Sequence, residues 1–195
     1  MRENSTLTIA ITGNIGSGKS TFCGYLQELG ETVYYTDSIA HDLTPSIKDL
    51  LIARWGSEIW KNGSPDRKQI ASIVFNSASE LQFLNSALHP LVVKRIQELI
   101  HTAKQVRVFF EIPLLFEAGI EDLFDRTVLV SSSMELTLER LKLRNRDSYE
   151  NHIKRLDAQI PDSRKAEMVD YLIINDGNLE ALRLAAQNLL TKINE

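Results

Sequence analysis

A chain of 195 residues suits one α/β domain carrying a modest insertion, long enough to bury most of a core and cramped for two full domains. Its 43% hydrophobic and 25% charged content is ordinary for a globular protein, and a formal net charge of -4 argues against a nucleic-acid binder held by a general basic field. Cys23 is the only cysteine, which excludes an intrachain disulfide and a cysteine-built metal site and fits a reducing, cytoplasmic setting.

The opening Met1-Arg2-Glu3-Asn4-Ser5-Thr6 is polar where a signal peptide needs an apolar core, and no apolar run reaches membrane-spanning length. Leu7–Thr12 then reads as a short apolar strand. It leads into Gly13-Asn14-Ile15-Gly16-Ser17-Gly18-Lys19-Ser20, which fits G-x-x-x-x-G-K-[ST] at every fixed position. Phe22, Tyr25, Leu26 and Leu29 follow at i, i+3, i+4, i+7, a helix stripe that Gly30 closes as a left-handed stop. In such a loop the glycines let successive backbone N–H groups curl toward phosphate oxygens, and the helix N-terminus adds partial positive charge. Lys19 is expected to reach the outer phosphates, Ser20 to hold Mg²⁺ through its hydroxyl, and Thr21 to continue the polar turn. The chain is therefore expected to bind a nucleoside triphosphate. Cys23, next to the Phe22 stripe, reads as packing.

Further strands are expected at Thr32–Tyr35, Val106–Phe110, Thr127–Val130 and Tyr171–Ile174, each rich in β-branched or aromatic residues. Their alternation with helical patterns predicts a parallel sheet covered on both faces, with ligands at the carboxyl ends of the strands. Between the second and third strands, Pro45 to Lys104 reads as helices only, either a second-substrate pocket or mere packing. Within it Ser64-Pro65 looks like an N-cap with proline at the first helical position, and Ser77-Ala78-Ser79-Glu80 has capping-box spacing. His89-Pro90 is expected to end one helix and start another carrying Val92, Ile96, Leu99 and Ala103 as a stripe. Ser132-Ser133-Met134-Glu135 reads as a further capping box, and Leu182, Ala185, Ala186, Leu189, Leu190 and Ile193 mark one face of a final helix.

No Asn-Lys pair for guanine recognition and no Leu-Ser-Gly-Gly-Gln segment of a transporter ATPase occurs, so a small-molecule kinase leads. Asp37 follows the second strand, where a carboxylate can orient an acceptor hydroxyl; it reads equally as a helix cap. Arg140 and Arg144, at i, i+4 in a basic run reaching Arg146, suit either a lid over the triphosphate or a solvated helix face. Glu111 ends the third strand, where it either holds Mg²⁺ through water or faces solvent. His89 alone reads as a cap or packing residue. His41, His101 and His152 have no metal-ligand spacing.

Taken together, Ile11–Ser20, Thr36-Asp37-Ser38-Ile39-Ala40-His41, Asp66-Arg67, Leu88-His89-Pro90, Ile112-Pro113-Leu114-Leu115-Phe116-Glu117, Arg140, Arg144, Gln159 and Asp170–Asn175 give the chain its character. In these pieces, and in their order, it resembles the dephospho-CoA kinases over nearly its whole length. The resemblance implies a three-layer P-loop kinase fold with a five-stranded parallel sheet. It assigns 1–44 and 105–195 to the nucleotide-binding core, 45–104 to a helical CoA-binding insertion and 140–165 to the lid. It implies transfer of the ATP γ-phosphoryl group to the ribose 3′-hydroxyl of 3′-dephospho-CoA, the last step of coenzyme A synthesis.

The same resemblance casts Asp37 as catalytic base, Lys19 with Ser20 as phosphate and Mg²⁺ contacts and Arg140 as the lid arginine, with Arg144 beside it. His41, His89 and Glu117 fall on the acceptor side. Three positions depart from the family's habit: Tyr35 stands where a first acid is common, Asn14 where a second glycine is, and Val169 where alanine is. A shikimate- or gluconate-like kinase is the nearest rival, and a nucleotide-dependent switch a more distant one. The rivals leave His89-Pro90 and Pro113–Glu117 unexplained. No sequence feature points to a nucleic-acid or membrane partner.

Overall fold

The computed structural model describes residues 6–144 and 149–193. It divides into two compact units, Met1–Tyr35 with Thr102–Glu195, and Thr36–His101.

The first unit is built on five parallel strands: β1 (Leu7–Thr12), β2 (Thr32–Tyr35), β5 (Arg107–Glu111), β6 (Arg126–Ser131) and β7 (Tyr171–Ile174). Their order across the sheet is β2-β5-β1-β6-β7, so β1 is central and the chain crosses over it to reach both flanks. Side chains alternate along the strands, and this sends Ile9, Ile11, Phe109, Val128 and Val130 to one face. There they meet Phe22, Cys23 and Leu26 of helix α1 (Lys19–Glu28) and Leu182, Ala186 and Leu189 of α9 (Leu179–Ile193). The stripes read from spacing on these two helices are the faces that pack. All five expected strands are present, with β5 shifted by one residue and β6 one residue longer at each end than the sequence reading.

At the amino ends of the strands two similar clasps fix register. Asp125, just before β6, accepts from the Thr8 amide at 2.9 Å and the Thr8 hydroxyl at 2.8 Å, and its own amide donates to Thr8 Oγ1 at 3.1 Å. Asp170, just before β7, does the same to Thr127 at 2.7, 2.9 and 3.1 Å. Each clasp ties a strand to its sheet neighbour, because a one-residue slip would break three hydrogen bonds at once.

The second unit contains α2 (Thr36–Leu43), α3 (Lys48–Trp55), the short strands β3 (Trp60–Lys61) and β4 (Ser64–Pro65), α4 (Arg67–Phe75) and α5 (Ala78–Thr102). Leu51, Ile59, Ile70 and Val74 form its buried centre. Glu80 accepts from Arg54 at 3.0 and 2.7 Å and from the Trp55 indole at 2.7 Å, locking α3 to α5.

Four sequence expectations need correction here and in the first unit. The segment is not helical throughout: β3 and β4 pair antiparallel around Asn62-Gly63, whose φ angles of 50° and 80° make a tight hairpin turn. Ser64-Pro65 is accordingly strand, and the N-cap of α4 is Asp66, whose carboxylate accepts from the Gln69 amide at 3.2 Å. Pro90 lies inside α5 and does not end it. The carbonyl it deprives of a partner belongs to Ser86; both residues are exposed, so water can satisfy that group and the helix continues. In helix α6 (Met134–Arg144) the capping hydroxyl is Ser133, accepting from Leu136 N at 3.5 Å, while Ser132 Oγ pairs with Thr137 Oγ1 at 2.8 Å.

Candidate active site

The loop between β1 and α1 is shaped by close packing at its glycines. At Gly13, φ is 142° and a side chain would run into the Val130 carbonyl of β6; at Gly18, φ is 94° and one would strike the Asn175 amide. The loop is also held from outside. Asn175 Nδ2 donates to Ser17 O at 2.8 Å, and the Ile15 amide donates to Gln159 Oε1 at 2.9 Å. Gly18 caps α1 without a side-chain partner, leaving the first helical N–H groups directed at whatever the loop encloses.

Lys19 is 7% exposed, with Nζ donating to Asn14 O at 3.2 Å. Burial lowers its pKa from the ordinary lysine value; the carboxylate of Glu111 opposes that shift, Lys165 adds to it and Asp162 opposes it. Ser20 and Thr21 are exposed at the start of α1. Glu111 ends β5 in register with Ile11 and Tyr35 and is buried, so it is no solvent-facing strand-end charge.

From Glu111 the chain continues beside the loop. The Ile112 amide donates to Ile11 O at 2.8 Å and Thr12 Oγ1 donates to Pro113 O at 3.4 Å. Leu115 and Phe116 are buried, so the apolar part of this motif is packing, and it delivers Glu117. Glu117 Oε1 accepts from Lys165 Nζ at 2.9 Å and from the Ile160 amide at 2.9 Å. Arg140, on α6, donates through Nη2 to Asn175 O at 2.9 Å, while its buried Nη1 has no partner among the described residues. Asn175 thus grips the glycine loop with its amide and Arg140 with its carbonyl.

Asp37 and His41 lie in the second unit, exposed, four positions apart on α2 and hence on one face. His89 is exposed on α5. The side chain of Arg144, at the end of α6, and Arg146 lie outside the described residues.

Sequence reading passes over Lys165 and Asp162, both in helix α8 (Asp162–Lys165), which follows α7 (Tyr149–Asp157). Lys165 is fully buried and also donates to Asn14 Oδ1 at 3.0 Å. Burial raises the Asp162 pKa, against a hydrogen bond from Ser131 and the positive charge of Lys165. Gln159 and Asn175 stand in the motif series, but nothing in spacing reveals their grip on the loop.

A glycine loop closed on a buried lysine, with an arginine held beside it, is shared by many phosphotransferases, so comparison with known proteins decides among them. The family model for dephospho-CoA kinase matches residues 7–181. The chain belongs to the dephospho-CoA kinase family. A dephospho-CoA kinase of Leptospira interrogans is 38% identical over 193 residues, 96% of this chain and 93% of that protein. The solved structure of the Campylobacter jejuni dephospho-CoA kinase is 27% identical, with a TM-score of 0.72 over 95% of this chain and 96% of that one. A shikimate kinase from Acinetobacter baumannii solved with shikimate aligns at a TM-score of 0.56 and 20% identity over 96% of this chain and 93% of its own. That likeness is one of fold alone. The family members and this chain are thus P-loop kinases of three-layer α/β architecture.

Proposed function

We propose that this chain phosphorylates the ribose 3′-hydroxyl of 3′-dephospho-CoA with ATP, releasing CoA and ADP, as the final step of coenzyme A synthesis in the cytoplasm. The observation that carries the reading is the buried Lys19 inside a glycine loop gripped by Asn175 and Gln159, in a chain that matches the family along its length.

Phosphoryl transfer through a loose transition state needs positioning and charge stabilisation more than covalent chemistry. In this reading the loop from Gly13 to Thr21 holds the triphosphate through its free amides and Lys19. Nη1 of Arg140, which has no partner among the described residues, is the group that meets charge developing on the transferring phosphoryl, and Arg144 assists from the same helix, with the part of 140–165 before Gln159 acting as the lid and Gln159–Lys165 anchoring it to the loop. Asp37 orients the acceptor hydroxyl and takes its proton. His41, His89 and Glu117 contact the acceptor, and the helical segment 45–104 receives the pantetheine arm.

For Mg²⁺, the exposed Ser20 hydroxyl and the Glu111 carboxylate are hard oxygen donors of the kind this ion takes. Ser20 and Glu111 would hold the ion together with the oxygens of the bound triphosphate. When bound, the ion supplies charge neutralisation at the phosphates.

The test offers purified protein ATP and Mg²⁺ with dephospho-CoA, shikimate or gluconate in parallel. Acceptor-dependent ADP release and a product of CoA mass are expected with dephospho-CoA alone. Phosphorylated shikimate without CoA would overturn the assignment.

A further inference from the structure

Lys165 presents a problem that the reaction does not solve. Its side chain is fully buried although it belongs to a four-residue helix. An ammonium has three donors and no acceptor, and taking it out of water is costly unless partners satisfy it. An apolar residue of similar size would fill the same space at less cost, so packing alone is a poor reason for a lysine here. Its two hydrogen-bond partners come from distant parts of the chain: Asn14 Oδ1 in the glycine loop at 3.0 Å and Glu117 Oε1 beyond β5 at 2.9 Å.

The surroundings repeat the same connection. Glu117 Oε1 also accepts the Ile160 amide at 2.9 Å, and the preceding residue, Gln159, accepts the Ile15 amide at 2.9 Å. The stretch from Gln159 to Lys165 therefore holds Asn14 by its side chain and Ile15 by its backbone, while gripping Glu117 twice. Asn14 is the residue whose carbonyl receives Lys19 Nζ at 3.2 Å and the Ser17 amide at 3.1 Å. Fixing its side chain fixes the plane from which the phosphate-binding lysine departs.

We infer that Lys165 is a positioning residue that sets the shape of the glycine loop, by tying the Asn14 side chain to Glu117, and through that shape sets the affinity for the triphosphate. Asn14 and Glu117 are coupled through one shared ammonium, so the donor loop and the segment after β5 move as one. The inference rests on the reading of the loop as a triphosphate site and is independent of which acceptor is used.

The experiment measures binding of an unreactive ATP analogue, with Mg²⁺ and without acceptor, to Lys165→Met, Lys165→Arg, Asn14→Ala, Glu117→Gln and the Lys165→Met/Asn14→Ala pair. Melting curves confirm that each is folded, and kcat and ATP KM are taken with dephospho-CoA. Lys165→Met is expected to weaken the analogue by about tenfold or more and Asn14→Ala by about threefold, roughly the loss of one or two hydrogen bonds. The double variant is expected to bind no worse than Lys165→Met, because the Asn14 contribution passes through the lysine. ATP KM should rise more than kcat falls, and Lys165→Arg should recover part of the loss.

Unchanged analogue affinity in folded Lys165→Met, or additive losses in the pair, would overturn the inference, whatever happens to the melting temperature. If Lys165→Met fails to fold, Asn14→Ala decides: undiminished affinity there overturns it as well. A parent chain that binds no ATP analogue would instead sink the triphosphate site itself, whereas one that binds it but does not phosphorylate dephospho-CoA would leave the role of Lys165 standing.

Discussion

The two ends of the central sheet handle polar groups in opposite ways. At the amino ends, Asp125 closes on Thr8, Asp170 closes on Thr127, and Arg107 pairs with Glu31 at 2.6 Å. Among the buried hydroxyl and carboxylate oxygens of the described residues there, Glu121 Oε2, in the turn before β6, is the exception. Around the carboxyl ends, Ser17 Oγ, Glu117 Oε2, Arg140 Nη1 and Asp162 Oδ1 are buried with no partner among the described residues. Buried polar atoms are nearly always paired in folded proteins, so a concentration of unpaired ones marks groups kept for a ligand. Polar side chains at one end hold strands in register; at the other they are held in readiness. The same sheet thus separates stability from chemistry along its strand direction.

This contrast predicts variants that split activity from stability. Lys19→Ala should produce the largest effect, lowering kcat by about 10³-fold or more, as expected for loss of a preorganised charge at the transferring group. Its melting temperature should hold or rise, because burial disfavours the charge that is removed. Arg140→Ala should cost about 10²-fold in kcat with an intact fold, read by steady-state kinetics beside circular dichroism. A large fall in melting temperature for either variant would erase the distinction between the two ends.

Asp170→Ala attacks the opposite end. Breaking its clasp should cost about 2 kcal/mol in urea unfolding while leaving kcat and both KM values within about twofold. A substantial kinetic defect in that variant would show that the amino-end clasps also shape the site.

The smallest expected effect is a pH dependence. Burial holds the Asp162 carboxyl above its ordinary value of 3.8. Just above that ordinary value the folded protein keeps a proton that the unfolded chain has shed, so this group makes stability fall as pH rises, until the raised folded pKa is passed. Asp162→Asn should flatten that acid-side slope in unfolding midpoints taken between about pH 4 and about pH 7. An unchanged slope would mean that Asp162 is not the group responsible.

How much of this was legible in the sequence depends on how far each contact reaches along the chain. The β1–loop–α1 unit is local, so strand alternation, glycine spacing and the Phe22 stripe suffice to read it, and the remaining strands follow from their β-branched runs. Asn62-Gly63 carries a turn signal that the reading of Pro45 to Lys104 as helices passes over: the dipeptide suits positive φ at both positions, but Pro65 beside it gives a competing helix-start signal. Pro90 misleads because the rule that proline ends helices assumes the orphaned carbonyl has nowhere to turn, and here it belongs to the exposed Ser86, where water can take it up. Lys165 is not readable at all. It stands in a polar stretch, Asp162-Ser163-Arg164-Lys165, that looks like surface, and its partners lie 151 residues away at Asn14 and far upstream at Glu117.

Cys23 has a practical consequence. It sits on α1 immediately below the glycine loop, fully buried against the sheet, and burial pushes its thiol pKa up, so the native protein keeps it protonated and shielded. A thiol reagent can reach it only when α1 lifts from β1. Because no second cysteine competes, the rate of labelling is a clock for that opening, and a nucleotide seated in the loop should slow it in proportion to its occupancy.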